Sequence, residues 1–240
     1  LKHGCNTDLC RCRFAVMNPE LTYTLPDYQT QCGCTDIMMH TMERYFNMSE
    51  NMELTDGISE ALIKTVMKHS KILKEHPDCY ESRAEVMWAS SLSHNLTGCG
   101  TDGGDWACHQ LEHEIGGMFD VAHGAGLAAV WGSWARYVYK ARPERFAKFA
   151  RNIFNIQETD DEKAAVAGIE AMENYYQSVG MPTSLCELGI HATEEQIKEM
   201  ADKCSFYGKR TVGVMKKIGA PEAAEIYRMA NDKSIPLYSR

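Results

Sequence analysis

Asp36 and His40 stand four residues apart, and His109, His113 and His123 crowd into the stretch CHQLEHEIGGMFDVAHGAG. This spacing restricts the fold more than any other feature of the chain. Residues four apart on a helix lie one turn above the other on a single face, so Asp36 with His40, and His109 with His113, each direct two polar groups to one side. His109 and His123 are 14 residues apart. A continuous helix would separate them by roughly 21 Å at about 1.5 Å per residue, too far to share an ion. A common site therefore requires the helix to stop and the chain to turn back. Gly116, Gly117, Gly124 and Gly126 offer places for that stop, because glycine weakens helix interiors and takes cap angles readily.

Taken alone, each i, i+4 pair is more often a solvated face or a hydrogen-bonded couple than a metal clamp. The neighbours argue for more. Asp36 and His40 sit among Cys34, Ile37, Met38 and Met39, where a carboxylate is costly to bury without a positive partner. A divalent cation is such a partner, and the five residues read together as a divalent metal site.

The rest of the sequence predicts one mostly α domain. Apolar positions recur at three and four from Ile58 through Leu62, Ile63, Val66 and Met67 toward His76-Pro77, with Thr55 as the cap. Further helices are expected over 81–95, 143–151 and 162–178, and after Thr193, which forms a capping-box pattern with Gln196. The loop over 97–105, and the stretches 181–184 and 205–208, read as connections. His94 reads as a hydrogen-bonded helix-end histidine, while His69, His76 and His191 are expected to face solvent.

At 240 residues, with 44% hydrophobic and 24% charged residues, the chain can bury a sizeable core. A net charge of -8 argues against nucleic acid and against anionic membrane surfaces. No run of 18 apolar residues occurs, and the start LKHGCNTDLCRCRF lacks the apolar core of a signal peptide. A soluble, cytoplasmic protein acting on a small molecule is expected. Ten cysteines, five of them within the first 34 residues, then read as free thiols rather than disulfides. A thiolate site built on the two C-x-C pairs is disfavoured, because zinc sites usually use C-x₂₋₄-C.

Two longer runs carry a resemblance: FAVMNPELTYTLPDYQTQCGCTDIMMHTMERYF over 14–46 and DWACHQLEHEIGGMFDVAHGAGLAAV over 105–130. They resemble the iron-containing alcohol dehydrogenases, in the branch of the NAD(P)H-dependent butanol dehydrogenases, and the similarity continues to near the C-terminus. The resemblance implies that Asp36, His40, His109 and His123 hold one Fe²⁺ or Zn²⁺. Three imidazoles and one carboxylate suit either ion. It also places His113 beside the substrate, where a histidine, with its unperturbed pKa near neutrality, is the expected proton carrier. The implied reaction is hydride transfer between NAD(P)H and a primary alcohol or aldehyde. The resemblance allows a homodimer, although no segment reads as an interface.

Such enzymes consist of an N-terminal dinucleotide-binding α/β domain followed by a helical metal-binding domain. The expectation here is a lead-in over 1–30, the end of a first domain that this sequence lacks, and an all-helical metal-binding catalytic domain over 31–240. Leu21 and Thr24 in the lead-in are then candidate cofactor contacts, although their segment alone reads as strand and turn between Pro19 and Pro26. The stretch Gly124-Ala125-Gly126-Leu127-Ala128-Ala129 fits a loose G-x-G-x-x-A, but no strand precedes it and no acidic residue follows about twenty positions on, so it is rejected as a dinucleotide loop. Two rival readings remain. His109-Gln110-Leu111-Glu112-His113 fits the H-x-x-E-H of zinc metallopeptidases, which leaves Asp36, His40 and His123 without a role. A non-catalytic metal-binding fragment is the other.

Overall fold

The computed structural model describes Thr7, Leu9 and residues 12–95 and 103–232. Among these residues the chain forms α1 (Asp27–Tyr45), α2 (Glu53–Glu75), α3 (Tyr80–Asn95), α4 (Ala107–Phe119), α5 (His123–Val138), α6 (Pro143–Phe154), α7 (Asp161–Ser178), α8 (Glu194–Cys204) and α9 (Ala220–Asn231). No strand forms among them; a single antiparallel bridge joins Val212 to Ile218. No described helix is long and apolar enough to cross a membrane. The mostly α expectation holds.

The helix ends follow local chemistry. Thr193 and Gln196 form the anticipated capping box at α8, Asp160 accepts the Lys163 N–H at the start of α7, and Pro143 opens α6, where its missing N–H costs nothing. Thr55 is not a cap: α2 starts two residues earlier, at Glu53. The stretch from Pro19 is a 3₁₀ helix (Pro19–Thr22) and turn, not a strand, because the Asn18 side chain accepts the Glu20 N–H at 3.1 Å and Thr22 donates its hydroxyl to the Pro19 carbonyl at 2.6 Å. Of the loop expected over 97–105, residues 97–102 lie outside the described residues, as do Cys5 and Cys10; the described cysteines are free thiols. His69 is half-buried and bonded to Ser82 Oγ at 2.9 Å, so it does not simply face solvent.

α5 is the centre of the molecule. Its sequence is small or apolar nearly all round, and a helix of that kind must be enclosed on every side. α1, α4, α7 and α9 pack against it, leaving Ala125, Leu127 through Trp131, Trp134, Ala135 and Val138 with no more than traces of exposure. α2 and α3 cover the outer face of α1, α6 pairs with α7, and α8 seals α4. The aromatic part of the core stacks Phe46 on Phe146, with ring centres 4.3 Å apart, beneath Trp134. Tyr227 reaches from α9 to donate its hydroxyl to the Leu111 carbonyl of α4 at 2.8 Å.

One buried ion cluster fastens α2 to α6. Arg145 grips both carboxylate oxygens of Asp56 at 2.6 and 2.5 Å, Lys148 adds a bond at 2.5 Å, and the Arg145 Nε–H donates to the Tyr45 carbonyl. Burial by itself would raise the Asp56 carboxyl, but hydrogen bonds and charge from Arg145 and Lys148 outweigh it and hold the pKa below its usual value. A carboxyl whose folded pKa is depressed stabilises the fold fully above its unfolded pKa, and that stability disappears as pH falls through the folded value. Asp56→Asn leaves the Arg145 guanidinium buried without a counter-charge, and urea unfolding at pH 7 should show a loss of about 3–5 kcal/mol. The gap between wild type and variant should narrow as pH falls below about 3.9; a pH-independent gap would contradict this account.

Candidate metal centre

α1 supplies Asp36 and His40 on one face, one turn apart, and α4 supplies His109 and His113 in the same relation. The reversal that adds His123 is not made at a glycine. α4 runs straight through Gly116 and Gly117 and ends at Phe119; Asp120 takes the left-handed conformation, φ 53°, and α5 begins at His123. Aspartate tolerates that region better than most residues. Gly124 and Gly126 lie inside α5 and serve proximity instead. At Gly124 a Cβ would collide with the backbone carbonyl of Cys32 on α1, so only glycine lets α5 lie close enough to bring His123 beside Asp36.

The result is a convergence on one oxygen. Asp36 Oδ1 lies 3.4 Å from His109 Nε2, 3.6 Å from His40 Nε2 and 3.7 Å from His123 Nε2. These separations are too long for good hydrogen bonds. Asp36 Oδ1 and His109 Nε2 are both buried without a hydrogen-bond partner, an arrangement that native interiors avoid unless something else satisfies the atoms. Four donors around an ion at about 2.1 Å in a tetrahedron stand about 3.4 Å apart. The ligand atoms of Asp36, His40 and His109 lie within 4.8 Å of one another, a spacing that fits a small divalent cation, and His123 adds a ring nitrogen 3.7 Å from Asp36 Oδ1.

The electrostatics of the metal-free cluster follow from this crowding. Burial would raise the Asp36 carboxyl, but the His109, His40 and His123 rings around it bring it below its usual value. Burial, reinforced by the charge of His109, pushes His40 down to about 3 against the pull of Asp36. His109 moves the other way: burial opposes its charge, yet the Glu43 and Asp36 carboxylates at its two nitrogens push it up to about 9.

Around the convergence the walls are aromatic and acidic. Trp106, left-handed at φ 62°, lays its ring 5.6 Å from His40 and 5.4 Å from His109, with the Arg44 guanidinium 4.6 Å above it. Asp105 ties this corner to the Val212–Ile218 loop, accepting the N–H groups of Ala107, Val214 and Met215. His94 is both a hydrogen-bonded helix-end residue, with Nδ1 at 3.1 Å from the Ser90 carbonyl, and a ring lying 3.9 Å from that of His40. His113 stands at the rim, half-buried, its ring 5.6 Å from His123 and 6.4 Å from His109. Leu21 and Thr24 are exposed in the lead-in, whose 3₁₀ helix packs on α3.

Two residues of the site carried no usable sequence signal. Glu43 accepts from His109 Nδ1, and Glu112 from His123 Nδ1. Glu43 looked like an ordinary helix glutamate, and Glu112 drew notice only as part of H-x-x-E-H. Its partner is His123, and its side chain is fully buried.

Comparison with known proteins agrees with the fold and with the family resemblance. The model of the Fe-containing alcohol dehydrogenase family, C-terminal region, matches residues 30–230. NADH-dependent butanol dehydrogenase A of Clostridium acetobutylicum is 36% identical over 230 residues, covering 95% of this chain and 58% of that protein. The NADPH-dependent aldehyde reductase YqhD of Escherichia coli is 32% identical over 219 residues, covering 90% of this chain and 56% of that protein. The crystal structure of NADH-dependent butanol dehydrogenase A from Thermotoga maritima superposes with a TM-score of 0.84 at 36% identity, over 89% of this chain and 55% of that one. The chain thus spans a little over half the length of these relatives. It belongs to the Fe-containing alcohol dehydrogenase family, and its helices are those of the family's C-terminal region.

Proposed function

We propose that this chain carries the metal-binding and catalytic part of an NAD(P)H-dependent alcohol dehydrogenase or aldehyde reductase, with Asp36, His40, His109 and His123 holding one Fe²⁺ or Zn²⁺. The observation that carries the reading is the convergence of three imidazole Nε2 atoms on Asp36 Oδ1. In this reading residues 31–240 form the catalytic unit and residues 1–30 a lead-in whose Leu21 and Thr24 meet the dinucleotide. The relatives' names supply the substrate class, a small primary alcohol or its aldehyde.

When bound, the cation polarises the substrate oxygen and the nicotinamide supplies or accepts the hydride. The chain's own residues do the remainder. Asp36 contributes the single negative charge of the donor set, and His40, neutral because burial holds it down, contributes a lone pair without charge. Trp106 flanks His40 and His109 with its ring. His113, at the rim and close to His123, moves the proton to or from the substrate oxygen, a role suited to imidazole near neutral pH.

The peptidase reading needs Glu112 free to activate water between His109 and His113. Its burial and its bond to His123 Nδ1 oppose that role. Elemental analysis separates the readings: about one Fe or Zn per chain, lost in Asp36→Ala, is expected, whereas a peptidase site would keep its metal in that variant. In NAD(P)H-dependent reduction of butyraldehyde, His113→Gln should retain metal while kcat falls by about 10² to 10⁴. Unchanged turnover in His113→Gln would remove the proton-carrier assignment and leave the ligand set standing.

A further inference from the structure

The three imidazoles that face Asp36 are not held in the same way. His40 Nδ1 is buried without a hydrogen-bond partner, and its ring is fixed by packing against His94 and Trp106. His109 and His123 each present Nδ1 to a carboxylate: Glu43 for the first and Glu112 for the second. Both glutamates are buried, at 1% and 0% exposure.

We propose that Glu43 and Glu112 are positioning residues that keep the proton of His109 and His123 on Nδ1, so that Nε2 of each ring is presented toward Asp36 as a donor. The proposal deepens the reading of Asp36, His40, His109 and His123 as metal ligands and rests on it. A carboxylate oxygen only accepts, so the ring nitrogen facing it carries the hydrogen, and when the ring is neutral the opposite nitrogen is left with its lone pair directed at the cluster. Outer partners of this kind orient ligand rings and raise their basicity.

Further contacts place each glutamate against its ring. Glu43 spans His109, its second oxygen accepting the backbone N–H of the same residue at 3.2 Å in the first turn of α4, while its own carbonyl accepts the Asp105 N–H at 2.7 Å. Ring, helix start and α1 are thereby fixed relative to one another. Glu112 fills the space left at Gly126: a Cβ there would stand 2.8 Å from Glu112 Cγ and Oε1. The absent Cβ of Gly126 thus makes room for the Glu112 side chain beside His123. A buried carboxylate is expensive without such a partner, so the two glutamates and the two rings specify each other's positions.

Zn²⁺ affinity, measured by competition with a chelator, and side-chain ¹⁵N spectra of the Zn²⁺-loaded chain test the proposal. Glu112→Leu, which keeps the volume apolar, should weaken Zn²⁺ binding 10- to 100-fold and abolish the low-field Nδ1–H signal of His123. Glu112→Gln, whose amide oxygen still accepts, should recover most of the loss. Gly126→Ala leaves both carboxylates in place but crowds Glu112, and should also weaken binding while helix content by circular dichroism is unchanged. Wild-type affinity in both Glu112→Leu and Gly126→Ala, or Nε2–H signals on both rings of the loaded wild type, would overturn the proposal. Asp36→Ala binding as tightly as wild type would instead overturn the ligand reading, and the wild-type ring protonation would still answer whether the carboxylates set the tautomers.

Discussion

Everything at the site depends on how closely α5 lies against α1. The contact is backbone on side-chain-free backbone, at Gly124 and the Cys32 carbonyl, where any Cβ would force the helices apart. Cys32 is one turn ahead of Asp36, and Gly124 follows His123 directly, so the point of closest approach is also the place where α1 and α5 bring their ligand-type side chains together. A separation larger by the width of a methyl group would leave Asp36 Oδ1 and His123 Nε2, now 3.7 Å apart, out of range of a shared ion with bonds of about 2.1 Å. The enclosing helices make this approach permanent. α5 cannot shift without opening a core that contains Trp131, Trp134, Phe146 and Phe149, and such cores are packed too densely to deform gradually.

The same geometry concentrates buried charge. Asp36, Glu43, Glu112 and three imidazoles occupy one small region, with Asp105 and its three amide donors beside it. In an apolar interior each carboxylate would be strongly unfavourable alone. Here each faces an imidazole, and the opposite shifts of His40 and His109 show how finely position decides the outcome: two rings 4.5 Å apart are driven in opposite directions. Glu43 meets only the His109 ring, while burial and the charges of His109, His94 and Arg44 press on His40. Elsewhere the fold uses charge for anchoring, as in the clasp of Arg145 and Lys148 on Asp56, far simpler in composition because it fastens helices rather than presenting donors.

The sequence was a good guide wherever a local rule sufficed. Helix α8 opens at its capping box, α6 at its proline and α7 one residue ahead of the expected 162–178, because caps and proline act through bonds between neighbours. Some local signals misled: Thr55 looked like a cap but lies within α2, and the Pro19 stretch became a 3₁₀ helix rather than a strand, held by bonds from Asn18 and Thr22 to near neighbours. α9, with Tyr227 bonded to α4, was not set apart from the chain after Thr193, although its buried Ala223, Ile226, Tyr227 and Ala230 recur at three and four. The glycines near the histidine cluster were read as helix breaks, whereas Asp120 makes the break and two of the glycines make close approaches, a distinction that requires knowing what lies opposite them.

What the sequence alone determined is the membership of the cluster and the family. Asp36 with His40, and His109 with His113, share faces because helical periodicity is a property of consecutive residues, and the two long motifs carry the relationship to the Fe-containing alcohol dehydrogenases. What only the tertiary structure decided is which atoms meet. The choice of Nε2 on three rings, the place of His113 at the rim, and the support of His109 by Glu43 and of His123 by Glu112 all depend on helix-to-helix distances, of which Gly124 permits that between α5 and α1 and Gly126 that between α5 and α4. Such distances arise from packing between residues tens of positions apart, and no local spacing encodes them.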